Sequence, residues 1–398
     1  MSKWTVDGVL GLVGYLFIGT AAVLLPSVMP SITAEFVATG LTLAVIGLVF
    51  PAGAVGGILG NLLAGVGSDA FGRRRLIWVT ALLLAVSLAL AATASVWLLF
   101  VIGYVVVSTA QGALSTGINA LVADANRTSR ARALNTLHGV YGAGAAVSPL
   151  VIGYLIERGL QWRWALGGTA LIWLVYAGVA YQLFRSKEVS HQGVRGLQLD
   201  LGMLRHGPFL ALFVIAFAYN GVAVSLLGWI AVIMQQSGGF SLFFSVSMIS
   251  VFYVALTIGR FMCAAYAEQI GYAKTLLVLA VGITLTYPLV VFGIHSLLVV
   301  AGVFLTGLSL SGLFPTVLAY GIRRYPEQAG TVSGTLSVAL TLGSMAPPLW
   351  TGVIATAWSF QAALAINYLM AVPLIILALY LRRQESIPIH ASLSEETL

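Results

Sequence analysis

Apolar residues run almost unbroken along this chain in stretches of about 20, the length a helix needs to cross roughly 30 Å of hydrocarbon. Polar and turn-forming residues gather between the stretches. The pattern predicts twelve helices near 9–30, 42–66, 76–94, 97–122, 132–156, 165–184, 209–234, 241–265, 273–293, 297–320, 330–356 and 361–381. A strand barrel would instead alternate apolar and polar positions in segments of about 10 residues. The first apolar stretch is too long for a cleaved signal, and its basic flank is only Lys3, so it reads as a retained span.

Composition agrees. Of 398 residues, 60% are hydrophobic and 8% charged, and the mean hydropathy is +1.00. A soluble domain carries about 25% charged residues. These values exclude an ordinary soluble enzyme, a disulfide scaffold and a disordered protein. The single cysteine, Cys263, excludes an internal disulfide and a cysteine metal cluster.

The net charge of +7 invites a nucleic-acid reading until each cation is placed. With the N-terminus inside, sixteen of the nineteen Lys and Arg fall on inner segments, and Arg158 and Arg163 fall outside. Arg260 lies within the eighth span. This is a positive-inside pattern, which sets orientation and puts both termini in the cytoplasm. The expected localisation is the cytoplasmic (inner) or plasma membrane, with lipid as partner and no nucleic acid. The expected organisation is a six-helix half over 1–184, a cytoplasmic linker over 185–208, a second six-helix half over 209–383 and a polar tail over 384–398.

An internal repeat supports the two halves. Asp69 and Gly72 recur as Glu268 and Gly271 at an offset of 199 residues, and Gly144, Pro149 and Gly153 recur as Gly343, Pro348 and Gly352. Parallel repeats of this kind place a binding site near the bilayer midplane between the halves.

The segment Gly65-Val66-Gly67-Ser68-Asp69-Ala70-Phe71-Gly72-Arg73-Arg74-Arg75 resembles the G-x-x-x-D-x-x-G-R-R signature of the major facilitator superfamily. Gly142-Ala143-Gly144 through Ser148-Pro149 is similar to its Gly/Pro-rich fifth helix. The resemblance implies an all-α fold of twelve transmembrane helices in two parallel repeats, a monomer that works by alternating access, and no cofactor. It also implies a gating role for Gly65, Asp69, Gly72 and Arg73, with Arg73 as partner of Asp69, and a weaker copy of that latch in Arg260 and Glu268. Ala70 stands where many members carry a basic residue. Asn135 through Gly142, Gly228-Trp229 and Gly259-Arg260 resemble the fucose-permease-like branch of sugar:proton symporters, whose usual carboxylates in helices 1 and 4 are lacking here.

The twelve acids all fall at span ends, in connections or in the tail. A carboxylate at mid-depth is costly, so one there would mark coupling chemistry. Without one, either the chain moves its solute with no carboxylate relay, or the proton site is His138, because imidazole titrates near neutrality, or a terminal acid such as Asp7. Arg260 could snorkel and pair with Glu268 two turns on, or bind a carboxylate substrate. The remaining mid-depth polar set comprises Tyr15, Thr20, Gln111, Ser115, Tyr219, Asn220, Ser309 and Ser311, with Tyr141 and Tyr253 beside them. Amides, hydroxyls and rings suit a neutral polyol, which needs paired hydrogen bonds and a stacking face. The leading expectation is secondary transport of a small polar solute, a sugar in particular, with a proton as candidate coupling ion. The alternatives are export of amphipathic compounds and carriage of a monocarboxylate or other organic anion through Arg260. No metal site or enzyme activity is expected.

Overall fold

In lipid, each main-chain N–H and C=O must be satisfied within its own segment, which leaves the helix as the solution for long apolar runs. The computed structural model describes residues 5–126, 130–184, 201–293 and 295–385. Among them are twelve helices long and apolar enough to cross a membrane, and no strand. They are labelled α1 to α12 in chain order. α1 runs Val6–Ala22 and continues as Leu24–Ala38. α2 is Leu43–Ile46 followed by Val49–Phe71. α3 is Arg73–Thr93, α4 Trp97–Ala125, α5 Arg130–Glu157 and α6 Trp162–Phe184. α7 is Gly207–Gln236, α8 Leu242–Ile270 and α9 Tyr272–Val291. α10 is Ser296–Leu310 then Leu313–Arg324, α11 Ala329–Ala357, and α12 Phe360–Tyr368 then Ala371–Glu385. Of the expected linker 185–208, residues 185–200 lie outside the described residues, as does the tail beyond Glu385; Leu201–Arg205 form a 3-10 turn and α7 already begins at Gly207.

The expected spans are recovered, but several helices run longer than their apolar cores. The first was expected to end near residue 30 and extends to Ala38. Hydropathy marks the hydrocarbon crossing, whereas the helix continues until its ends are capped or paired. The extension is possible because Glu35, inside it, is neutralised by Arg163 at 2.6 Å.

The repeat is visible in the backbone. Gly72 (φ 79°) and Gly271 (φ 93°) begin α3 and α9 in the left-handed region, which only glycine enters without strain. Gly40 (φ 93°) and Gly239 (φ 66°) form a second such pair at the same offset. A β-carbon on Gly144 of α5 would strike the Leu16 carbonyl of α1, and one on Gly343 of α11 would strike the Phe217 carbonyl of α7. Gly56 and Gly60 likewise bring α2 onto the Val105 and Thr109 carbonyls of α4. Backbone contact of this kind supplies van der Waals attraction where lipid offers no hydrophobic drive.

Contacts divide the chain into two compact units. The first holds 1–196 with 226–254 and 348–360. In it α2 lies along α4, α3 along α4 and α6, and α1 along α5. Its two ends differ. At the end carrying Arg73 to Arg75, called the basic end below, Arg73 pairs with Asp124 of α4 and Arg74 with Asp7 of α1 at 2.6 Å. At the opposite end Arg163 grips both oxygens of Glu35 at 2.6 Å and donates to the Ala94 carbonyl at 3.1 Å. The Trp162 indole donates to the same carboxylate at 2.8 Å. One guanidinium thus ties α1, α3 and α6.

The second unit holds 197–225, 255–347 and 361–398. Here α9 packs against α10 and α12. Tyr287 and Tyr368 stack at 6.0 Å, the Tyr368 hydroxyl donates to the Thr284 carbonyl at 2.9 Å, and Thr286 meets Thr306 at 3.1 Å. Both units turn large apolar side chains outward, such as Leu98 (65% exposed) and Leu297 (78%), as a lipid-facing surface does.

Arg163→Ala is expected to lower the unfolding midpoint of the purified protein by about one degree. That corresponds to about 1 kcal/mol for a forked, part-exposed ion pair. Arg163→Lys should recover only part, because an ammonium cannot fork. An unchanged thermal scan for Arg163→Ala would remove the staple from the account.

Candidate functional site: a polar cluster and a closed end in the first unit

α4 presents Gln111, Ser115 and Asn119 four residues apart, so they lie in one row on the helix. Opposite stands Tyr15, 3% exposed on α1. Its hydroxyl meets the Ser115 hydroxyl at 3.0 Å and accepts a hydrogen bond from the Asn119 amide. Asn119 also donates to the Ser115 carbonyl at 3.0 Å. From α5, the His138 ring stands edge-on to Tyr15 at 5.4 Å and the Tyr141 ring lies at 6.1 Å. His138 is exposed and Tyr141 half-buried. Gly19 lets α5 come this near, since a β-carbon there would strike the Tyr141 carbonyl. Four expected residues, Tyr15, Ser115, Tyr141 and His138, therefore converge from three helices. Tyr15 lies roughly 14 Å along α1 from Val6 at 1.5 Å per residue.

Asn119 was not among the expected residues. Its signal was the spacing from Ser115, obscured by its nearness to the acidic helix end at Asp124. Gln111, in the same row, is half-buried. Thr20 turns back onto the Phe17 carbonyl at 2.7 Å. Tyr253 of α8 is half-buried, its ring beside Phe252 at 6.0 Å.

In the second unit Tyr219 is buried and hydrogen-bonded by Arg260, which is exposed. The expected pairing of Arg260 with Glu268 is not formed. Arg260 turns across to α7 instead, while Glu268 accepts from the Tyr272 hydroxyl at 3.5 Å. Two helical turns of separation is about 12 Å of rise, and Tyr219 is the nearer partner. Asn220 donates to the Leu340 carbonyl of α11 at 2.6 Å. Ser311 is fully buried at the break in α10 and donates to the Leu308 carbonyl at 2.7 Å. Ser309 donates to the Leu305 carbonyl at 2.8 Å. These bonds are helix-internal or helix-to-helix.

In the glycine-rich loop, Gly72 holds the left-handed turn. Arg73 pairs with Asp124; the expected contact with Asp69 falls on a side chain that is not described. The side chain of Asp69 lies outside the described residues, as does any side-chain account of the Gly65 position.

At the end opposite the arginines, the first unit is closed by aromatic packing. Trp229 of α7, with no exposed surface, donates its indole N–H to the Pro348 carbonyl of α11 at 2.9 Å. Its ring lies 5.6 Å from Phe50 of α2 and 5.7 Å from Phe360. Gly228 and Gly352 leave room for the Phe50 ring and the Leu43 carbonyl. Nearby, the Ala44 N–H donates to the Thr356 hydroxyl at 3.0 Å, and Tyr154 of α5 meets Phe243 of α8 at 6.4 Å. Residues from both sequence halves thus interlock around one indole.

Twelve apolar helices with paired left-handed glycines, a polar cluster on the first, fourth and fifth, and an aromatic closure at one end define a membrane transporter of the two-repeat type. The family model described as Major Facilitator Superfamily matches residues 11–348 and 248–397, and the chain belongs to that family. It is a transporter rather than an enzyme, and an integral membrane protein. The chain is 25% identical over 361 residues to YfkL of Bacillus subtilis (strain 168), an uncharacterised transporter of the superfamily, covering 87% of this chain and 88% of the other. It is 24% identical over 244 residues to the glucose/mannose transporter GlcP of the same organism, covering 58% of each. Its fold is similar to that of a bacterial homologue of the human lysosomal transporter Spinster, with a TM-score of 0.78, 14% identity and coverage of 96% and 98%.

In a background lacking Cys263, a cysteine at the buried Val246 position is expected to resist a membrane-impermeant maleimide. Labelling should rise several-fold when Trp229→Ala is added, and less with Trp229→Phe, which keeps the ring. Equal labelling with and without Trp229 would show that the indole does not hold this end closed.

Proposed function

We propose that this protein moves a small neutral polyol, a sugar in particular, by alternating access, with the Tyr15–Ser115–Asn119–His138–Tyr141 cluster as one wall of its binding site. The observation that carries this reading is the cluster itself. It offers hydroxyl and amide groups that both donate and accept, next to ring faces, and holds no carboxylate. A sugar ring presents hydroxyls on its rim and an apolar face, so it matches both kinds of surface. Likeness to a glucose/mannose transporter supports the same class. By the positive-inside rule the basic end faces the cytoplasm. The aromatic closure around Trp229 then acts as the outer gate, and its opening alternates with access from the basic end.

His138 is the imidazole in this wall, a side chain able to take up and release a proton. It is exposed and touches Tyr15, so a proton on it is felt by the hydroxyl network that would hold the solute. A second reading is favoured by one observation: Arg260 lies within α8, unpaired with Glu268 and facing Tyr219. A guanidinium so placed could hold a carboxylate, making an organic-anion carrier.

A thermal-shift screen of the purified protein against neutral monosaccharides and short monocarboxylates separates the two. Sugars should raise the midpoint, and Asn119→Ala should weaken that response about tenfold in ligand concentration, the loss of one hydrogen bond to a buried network. Stabilisation by carboxylates alone, abolished in Arg260→Ala, would replace the sugar reading with the anion one.

If His138 carries the proton, vesicle uptake by His138→Ala should lose the pH dependence that the wild type shows while some uptake remains. Full retention of the pH profile would exclude that role.

A further inference from the structure

α1 and α6 splay apart along the flank of the first unit and leave a groove of about 790 Å³. Its floor is Leu10, Phe17 and Tyr176, and its rim includes Val13, Val175 and Leu183. The floor is sealed, with Leu10 and Tyr176 at 7% and 3% exposure, whereas the rim residues Val13 and Val175 are 39% and 60% exposed. Tyr176 donates its hydroxyl to the Leu10 carbonyl at 3.2 Å, which turns its ring, rather than its polar tip, toward the groove. The absence of a β-carbon at Gly14 permits that approach, since one would lie 2.5 Å from the Tyr176 oxygen. The groove is therefore a built apolar channel, open sideways.

Its length and its end identify an occupant. From Val6 to Phe17 the channel follows α1 for about 16 Å at 1.5 Å per residue. Half of a hydrocarbon layer of roughly 30 Å is about 15 Å, so the channel has the depth of one leaflet. It ends at the basic end. There Asp7, next to Val6, accepts from Arg74 at 2.6 Å, and the Arg74 guanidinium lies 5.5 Å over the ring of Phe184, next to Leu183. A guanidinium has five donors in a fork suited to phosphate, and this one stands where a headgroup meets the top of an acyl chain. A soluble polyol finds no partner along this lining, whereas a phospholipid matches it at both ends.

We propose that the α1–α6 groove holds one phospholipid of the leaflet at the basic end, with an acyl chain along Leu10, Phe17 and Tyr176 and its phosphate at Arg74. This site does not depend on which solute the protein transports. Such a lipid would fill the groove between the two helices and would brace α1, the helix that carries Tyr15.

The test uses native mass spectrometry of the purified full chain titrated with phosphatidylglycerol, or with a diacylglycerol of the same chains. Wild type should keep one phosphatidylglycerol under activation that strips the others. Val175→Trp, which fills the channel from a lipid-facing position, should lower that occupancy roughly tenfold, the effect of displacing about two buried methylenes. Leu285→Trp, on a lipid-facing position of α9, should leave it unchanged. The double variant Asp7→Asn with Arg74→Gln, which removes both charges of the pair, should abolish the preference over diacylglycerol. The proposal is overturned if wild type keeps no lipid, if Val175→Trp keeps as much as wild type, if Leu285→Trp loses as much as Val175→Trp, or if diacylglycerol is retained as well as phosphatidylglycerol.

Discussion

The structure depends on helix backbones touching one another. In water, burying apolar side chains drives helices together; in lipid that drive is absent, and close van der Waals contact must replace it. Glycine provides the contact here at the same places in both repeats. Gly144 sets α5 against α1, and Gly343 sets α11 against α7. The polar cluster follows from this. With a larger residue at Gly19, α5 would stand off from α1, and neither His138 nor Tyr141 would reach Tyr15.

Against that uniform packing, the polar interactions are few and specific. Arg73 and Arg74 bind α3 to α4 and α1 at one end, and Arg163 binds α6 to α1 and α3 at the other. These pairs lie within the first unit, so they stiffen it as a body. Along the α1–α6 groove the tie is a neutral one, the Tyr176 hydroxyl on the Leu10 carbonyl.

The span count and the repeat were legible in the sequence, because each is a local pattern or a fixed offset. Gly72 and Gly271 could be matched by arithmetic, and both take the left-handed turn. Ion-pair partners were not legible. Arg73 pairs with Asp124 of another helix, which only the packing brings near. Arg260 was misassigned to Glu268 for the same reason: sequence distance favours the same helix, while space favours Tyr219 on the next. Among the candidate site residues, depth alone could not separate those in a shared cluster, such as Tyr15 and Ser115, from those occupied in helix packing, such as Asn220 and Ser311. Asn119 needed the three-dimensional row on α4 to be recognised.

The closure around Trp229 is made of rings, glycines and two neutral hydrogen bonds. Parting it is a wetting event: water must enter between aromatic faces, and no ion pair named there need be broken. Screening by salt, which weakens exposed charge pairs over about 8–10 Å, therefore has little purchase on it. Apolar hydration carries a large heat-capacity change, so the balance between closed and open should bend with temperature and stay nearly flat with ionic strength. The protein would then cross between its states on a barrier set by the cohesion of water rather than by charge.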